Sequence, residues 1–199
     1  QGSVAVPERI DPVIDVSPVF AKLVKDTRLT IPVAKIFGHE PHLFKDKIIY
    51  KAPGVQGYPI HQDGSWWQGL GIPMEGLLSV MVAIDASDKS NGCLEVFPGY
   101  HQRLLSAPGE TRNMNEEEAK VVDRSTGFFV EAQPGDVVIF HALTPHQSGP
   151  NTANYSRKQF YLTYSSGAYE NGYDRHRKHY LDYSRSHRSK EEQEKIYFK

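Results

Sequence analysis

The amino-acid sequence predicts a single domain with an all-β core, a sandwich or barrel of short strands flanked by α-helices. Two observations carry this. Apolar segments of five to eight residues, rich in β-branched and aromatic side chains, recur between Gly and Pro turn signals, as in "FFVEA" before Pro134-Gly135 and "CLEVF" before Pro98-Gly99. The chain of 199 residues is also 39% hydrophobic and 24% charged, which suits one folded domain over residues 1–199 and argues against disorder.

The elements follow in order. Ser17 to Leu29, "SPVFAKLVKDTRL", reads as one short amphipathic helix. Ser17 is its N-cap and Pro18 sits in its first turn, with Phe20, Leu23 and Val24 on one face. Strands are expected at Asp46 to Ala52, Leu77 to Ile84, Cys93 to Phe97, Phe128 to Ala132, Val137 to Phe140 and in "RKQFYLTY" (Arg157 to Tyr164). A helical insertion is expected at Asn113 to Val122. The tail from Glu170 is charged and rich in Tyr and His. It is expected to be helical near "RSKEEQEKIY" and says little about chemistry.

Charge and cysteine usage exclude several classes. Lys plus Arg number 23 and Asp plus Glu 24, a balance that gives no drive toward nucleic acid or an anionic membrane surface. The longest apolar run, Gly76 to Ile84, is far too short to span a bilayer. One cysteine, Cys93, cannot form an internal disulfide, so a reducing, cytoplasmic compartment is expected, with Cys93 a small buried hydrophobe. The chain opens at Gln1 without a Met, and the expectation is that a natural N-terminal segment precedes it.

The chemistry is concentrated in "YPIHQDGSWWQG" (Tyr58 to Gly69). Residues i and i+2 of a strand project from one face, so His61 and Asp63 can converge on one point. An imidazole and a carboxylate are two legs of a facial metal site; a second histidine from a neighbouring strand completes a set that suits non-haem Fe(II). An isolated H-x-D triplet is usually a polar strand edge, so the third ligand decides. "FHALTPHQSGPN" offers His141 and His146, five apart, so on a strand they face opposite sides and at most one points at the metal. Arg157 opens the apolar "FYLTY" strand, and a buried cation there requires an anionic partner.

Taken together, His61-x-Asp63, "NGCLEVFPGYH", "PGDVVIFHALTPHQSGPN" and Arg157 resemble the phytanoyl-CoA dioxygenase family of Fe(II)- and 2-oxoglutarate-dependent oxygenases. The resemblance spans about Ser17 to Tyr164. It implies a double-stranded β-helix, a cupin-like jelly roll with flanking helices. It implies that His61, Asp63 and His146 bind Fe(II), and that Arg157, assisted by Ser148, grips the distal carboxylate of 2-oxoglutarate. It also implies O2 as the second cosubstrate. Lys45, Lys47, Ile49 and Lys51 share one strand face that lines the cosubstrate pocket in this family. Lys47 or Lys51 could therefore touch 2-oxoglutarate, against the ordinary reading of solvated lysines. Trp66, Trp67 and Gln56 are the candidates for substrate contact, with Glu75 behind them. His141 and the remaining histidines (His39, His42, His101, His176, His179 and His187) have no partner at ligand spacing.

The implied activity is hydroxylation of a C–H bond in a small molecule, with release of succinate and CO2. The carboxylate at Asp63 favours hydroxylation or desaturation over halogenation. Two rivals stand beside it: a non-catalytic binding protein on the same fold, and an oxygenase acting on a protein side chain.

Overall fold

A computed structural model describes residues 8–110, 112–194 and 196–197. Two sheets face one another. The larger holds β1 (Arg9–Ile10), β2 (Pro41–Lys51), β4 (Leu77–Ala83), β7 (Val137–His141), β9 (Arg157–Ser166) and β10 (Ile196–Tyr197), in the order β10-β1-β2-β9-β4-β7. The smaller holds β3 (Tyr58–His61), β5 (Leu94–Val96), β6 (Phe128–Val130) and β8 (His146–Ser148), in the order β3-β8-β5-β6. Apart from the β1–β10 pair, every pairing is antiparallel. This is the jelly-roll core that the turn spacing and the family resemblance imply.

Strand β9 holds the large sheet together, since it pairs along its length with both β2 and β4. Alternation sorts its side chains: Phe160, Leu162 and Tyr164 face outward, while Arg157, Gln159, Tyr161 and Thr163 face the second sheet. The outward residues join Leu78, Val80 and Val82 of β4 in a core closed by Val24, Leu29 and Val33. Between the sheets, Met81 and Ala83 pack on Leu94, Val96 and Val130.

The helices covering the outer face differ from expectation. Instead of one helix over Ser17 to Leu29 there are two, α1 (Pro18–Leu23) and α2 (Thr27–Phe37). Asp26 explains the break: it is extended and its carboxylate accepts from the Arg28 backbone N–H at 2.9 Å, capping a second helix where the first was expected to continue. Phe20, Leu23 and Val24 still share the core-facing side. The insertion is a single turn, α3 (Glu116–Ala119), started by a reciprocal capping box between Asn115 and Glu118. The tail is more ordered than its composition suggests, with α4 (Tyr173–His187) and a short α5 (Lys190–Glu194). Asp46 ties α4 to the sheet, accepting from Tyr173 Oη at 2.7 Å and from the backbone N–H groups of Val13 and Ile14.

Leu162 is 1% exposed beneath α2, so Leu162→Ala should destabilise the fold by about 2–5 kcal/mol through a cavity that the sheets cannot close. Phe128, at 53% exposure on the outer edge strand, should tolerate Phe128→Ala within about 0.5 kcal/mol. Urea midpoints of the two variants check both values.

Candidate metal centre

The site lies at one end of the gap between the sheets. Strand β3 ends at His61, and the antiparallel register of β3 with β8 puts His61 directly opposite His146. Their ring centroids are 4.2 Å apart. Asp63 does not extend the strand; it opens a 3-10 turn (Asp63–Trp66), and this turn brings its carboxylate back toward the two rings. One ligand atom from each of His61, Asp63 and His146 fits within a 4.8 Å cluster. The Nε2 atoms of both histidines lie 4.0 Å from Asp63 oxygens. First-row metal bonds of about 2 Å fit that spacing.

The ring orientations are fixed from behind. His61 Nδ1 is 2.7 Å from the Pro59 carbonyl and His146 Nδ1 is 2.9 Å from the Thr144 carbonyl. A carbonyl only accepts, so each Nδ1 carries the proton and each Nε2 presents a lone pair to the cluster. Ser79 Oγ donates to Asp63 Oδ2 at 2.6 Å. Burial and the neighbouring His146 push the His61 pKa down to about 3, so that ring is neutral at physiological pH. Burial alone would raise the Asp63 pKa, but His146 and Lys47 together pull it below the usual range. A neutral imidazole and an ionised carboxylate are the protonation states a divalent metal requires. The donor set fits a 2-His-1-carboxylate iron site with open positions.

His141 is not part of it. Its ring lies 5.7 Å from that of His101, and it lines a separate cavity with Glu75 and Tyr169.

A cavity of about 50 Å³ opens from the cluster into the gap, walled by Lys47, Tyr58, Ser148 and Tyr161. Behind its floor lies a cationic pair. Lys51 and Arg157 are cross-strand neighbours, 1% and 2% exposed respectively. Lys51 Nζ donates to Ser148 Oγ at 2.9 Å and to the Gly149 carbonyl at 2.7 Å. Arg157 donates to the Asn91 and Gly92 carbonyls, at 3.3 and 2.5 Å, and hydrogen-bonds the Tyr161 hydroxyl. Gly92 has φ +73°, and a Cβ there would lie 2.4 Å from the Gly149 carbonyl and 2.9 Å from Lys51 Nζ. No larger residue fits between the two cations. Among the described residues no carboxylate pairs with either cation, and burial with the nearby Arg157 lowers the Lys51 pKa to about 7. Ser148 therefore supports Lys51, where the sequence suggested that it assists Arg157.

The lysines expected to be solvated are not. Lys45 is 8% exposed, and burial together with Arg9 lowers its pKa to about 8; burial and Lys45 hold Lys47 well below the lysine range. Of the tryptophans, Trp67 is 2% exposed and packs edge-on against Phe44 while still reaching the cavity. Trp66 stacks edge-on against Tyr183 of α4 at 5.4 Å, at the wall of a second, outer cavity. Gln56, expected at the substrate, is exposed instead on the 53–57 loop, where it lines a shallow depression with Glu8 and neither of the two cavities beside the metal cluster. The tail, whose sequence says little about chemistry, supplies His176, His179, Tyr180 and Tyr183 to the outer cavity. Ser79 and α4 are the elements that sequence reasoning missed.

A family model for phytanoyl-CoA dioxygenase (PhyH) matches residues 5–159. The chain belongs to the phytanoyl-CoA dioxygenase family. Among relatives in this family, the methylphosphonate hydroxylase of Gimesia maris is 34% identical over 131 residues, 66% of this chain and 48% of that protein. The 2-aminoethylphosphonate dioxygenase of an uncultured bacterium is 33% identical over 134 residues, 67% of this chain and 49% of that protein. The chain spans about half the length of these relatives. The crystal structure of EctD from S. alaskensis with 2-oxoglutarate and 5-hydroxyectoine superposes with a TM-score of 0.71 at 26% identity, covering 81% of this chain and 57% of that one. EctD with bound Fe gives 0.69 at 25% identity, with 83% and 60% covered. Among the described residues no helix is long and apolar enough to cross a membrane.

Two outcomes test the site. In His61→Ala and in His146→Ala, Co(II) titration followed by its visible absorption should show the tight site lost; His141→Ala should keep it. The folded-state pKa values of His61 and His176 are depressed below the unfolded value of about 6.5, His176 by burial and Lys45. Stability is therefore full above about pH 6.5 and declines as pH falls below it, when the unfolded chain binds protons that the folded one refuses. Urea unfolding of metal-free protein should show this decline, and it should be shallower in His176→Gln.

Proposed function

We propose that this chain carries the catalytic core of an Fe(II)- and 2-oxoglutarate-dependent dioxygenase that hydroxylates a C–H bond of a small molecule. The observation that carries the reading is an open His61–Asp63–His146 set on one small cavity, with two buried, acid-free cations behind its floor, one of them hydrogen-bonded to Ser148 in the cavity wall. A metal set alone would suit many cupins. Buried cations with no carboxylate partner need an anion from outside, and a dicarboxylate that also reaches the metal supplies it.

His61, Asp63 and His146 would hold the ferrous ion, which with 2-oxoglutarate and O2 supplies the oxidising chemistry, 2-oxoglutarate leaving as succinate and CO2. The chain's own residues do the positioning. Pro59 and Thr144 carbonyls hold both imidazoles in one tautomer, and Ser79 anchors the Asp63 carboxylate with one oxygen 4.0 Å from each Nε2. Lys51 and Arg157, steadied by Ser148, Gly92 and Tyr161, would receive the far carboxylate of the cosubstrate; Lys47, on the same strand face, would meet it nearer the metal. Trp67 and the Trp66–Tyr183 pair would close the substrate side against water. The outer cavity of about 200 Å³ suits a small molecule better than a protein side chain carried on a peptide. The relatives support this scale, since two of them are named for methylphosphonate and 2-aminoethylphosphonate.

Titrating 2-oxoglutarate into the anaerobic Fe(II) protein, followed by its metal-to-ligand charge-transfer band, tests the reading. Arg157→Ala breaks a buried charge pair on one side, typically about 3–5 kcal/mol, so affinity should fall by roughly 100- to several-thousand-fold. Arg157→Lys should recover part of it, because an ammonium lacks the two-pronged contact. Metal affinity should be unchanged in both. A near-normal dissociation constant in Arg157→Ala would move support to a non-catalytic binding protein.

A further inference from the structure

The outer cavity holds more positive charge than the cosubstrate accounts for. Arg9, Lys45, Lys47 and Arg188 all line it, and the sole acidic side chain in its wall is Asp63, already assigned to the metal. Arg9 is neutralised by Asp11, whose carboxylate accepts from its Nε at 2.9 Å. Lys45 has no such direct partner, and Asp11 and Asp63 act on it only at longer range. It is 8% exposed, and among the described residues its ammonium has no hydrogen bond or ion pair; it meets aromatic faces, 5.7 Å from the Trp67 centroid and 5.7 Å from that of Tyr180. The Arg188 guanidinium also has no acid partner among the described residues and lies 5.4 Å from the Tyr180 centroid, with Arg9 at 4.7 Å from the same ring.

Three cations thus converge on one tyrosine. Aromatic faces can hold a ligand cation, and an aromatic chamber beside a metal often suggests a quaternary ammonium substrate. Here the faces of Trp67 and Tyr180 already carry the protein's own cations, so a second positive charge would meet repulsion. An anion would relieve it and give Lys45 the partner that burial requires.

We propose that the outer cavity binds a small substrate by a compact oxyanion group, held by Lys45 and Arg188 beside the Arg9–Asp11 pair. The rest of the molecule lies along Trp66, Trp67 and Tyr183, with a carbon near the anion facing His61 and Asp63. The proposal deepens the oxygenase reading and rests on it for the identity of the molecule as a substrate. Lys45 faces both cavities, as Lys47 does, whereas Arg188 and Arg9 line the outer one and belong to neither the metal cluster nor the Lys51–Arg157 pair.

The test is equilibrium binding to the full chain, metal-free and separately loaded with Co(II) and 2-oxoglutarate, followed by tryptophan fluorescence and by calorimetry. The probes are propylphosphonate, butyrate, propylammonium and propanol, matched in size and different in head group. Propylphosphonate and butyrate should bind in both forms, while propylammonium and propanol should not. Lys45→Met and Arg188→Gln should each weaken propylphosphonate by about ten- to a hundred-fold, the usual value of one charge-assisted contact. Arg188 is only half-buried, so its variant reports even if Lys45→Met folds poorly. In the metal-free form, which carries no 2-oxoglutarate, Arg157→Ala should leave this binding unchanged. Tighter binding of propylammonium than of propylphosphonate overturns the proposal. So does unaltered phosphonate affinity in Arg188→Gln, or its loss in Arg157→Ala, which would place the anion in the inner cavity. Failure of wild-type protein to bind Co(II) would refute the oxygenase reading and leave the anion result standing by itself.

Discussion

The pairing of β3 with β8 is the constraint on which the rest of the site depends. It sets His61 and His146 side by side across two strands, close enough that both rings cannot be charged without strong repulsion. Two carbonyls behind the rings then fix which nitrogen each presents. A one-residue slip in this register would send one imidazole to the other face of the sheet. The close approach that keeps the register requires Gly57, where a Cβ would fall 1.9 Å from the Ser148 carbonyl oxygen. The same contact region fixes Ser148, whose hydroxyl accepts from the Tyr58 backbone and from Lys51. Metal end and cation end are thus set by one short ladder.

The two sheets divide the labour. The small sheet carries both histidines; the large one supplies Ser79, Lys47, Lys51, Tyr161 and Arg157. Neither half could bind a bridging ligand alone. What keeps them in place is the apolar contact between the faces, Met81 and Ala83 on Leu94 and Val96, and the layer of α1 and α2 outside.

Much of this was legible in the residues. The H-x-D pair, the second histidine and the cation at the head of an apolar strand stood in the order that pointed to the family, but the one-strand geometry argued for them does not hold, because Asp63 opens a 3-10 turn and His141 and His146 lie on strands of different sheets. The strand positions followed from turn chemistry. What escaped has a common cause. Helix α4 buries His176 and Tyr180, residues whose amphipathic side chains look the same in sequence whether they line a cavity or face water. Lys45 and Lys51 gave no sign of burial, because a lysine's environment is set by what the opposite sheet places against it. The split between α1 and α2 turned on a single aspartate that was read as an interior residue and acts as a cap. Gln56 failed for the converse reason: nearness in sequence to the H-x-D pair says nothing about the direction in which a loop departs.

Helix α4 is fastened to strand β2 through the Tyr173–Asp46 hydrogen bond and the packing of His176 on Phe44, and its inner face forms one wall of the outer cavity. The ligands and the cations of the inner cavity all come from strands or from the turn between them. On the proposed function, selectivity and reactivity would therefore be written on separable parts of the chain. Substitutions along one face of this helix would then retune which molecules enter while the His61–Asp63–His146 cluster stays as it is, so a single scaffold of this kind would diversify its chemistry's targets without rebuilding the chemistry.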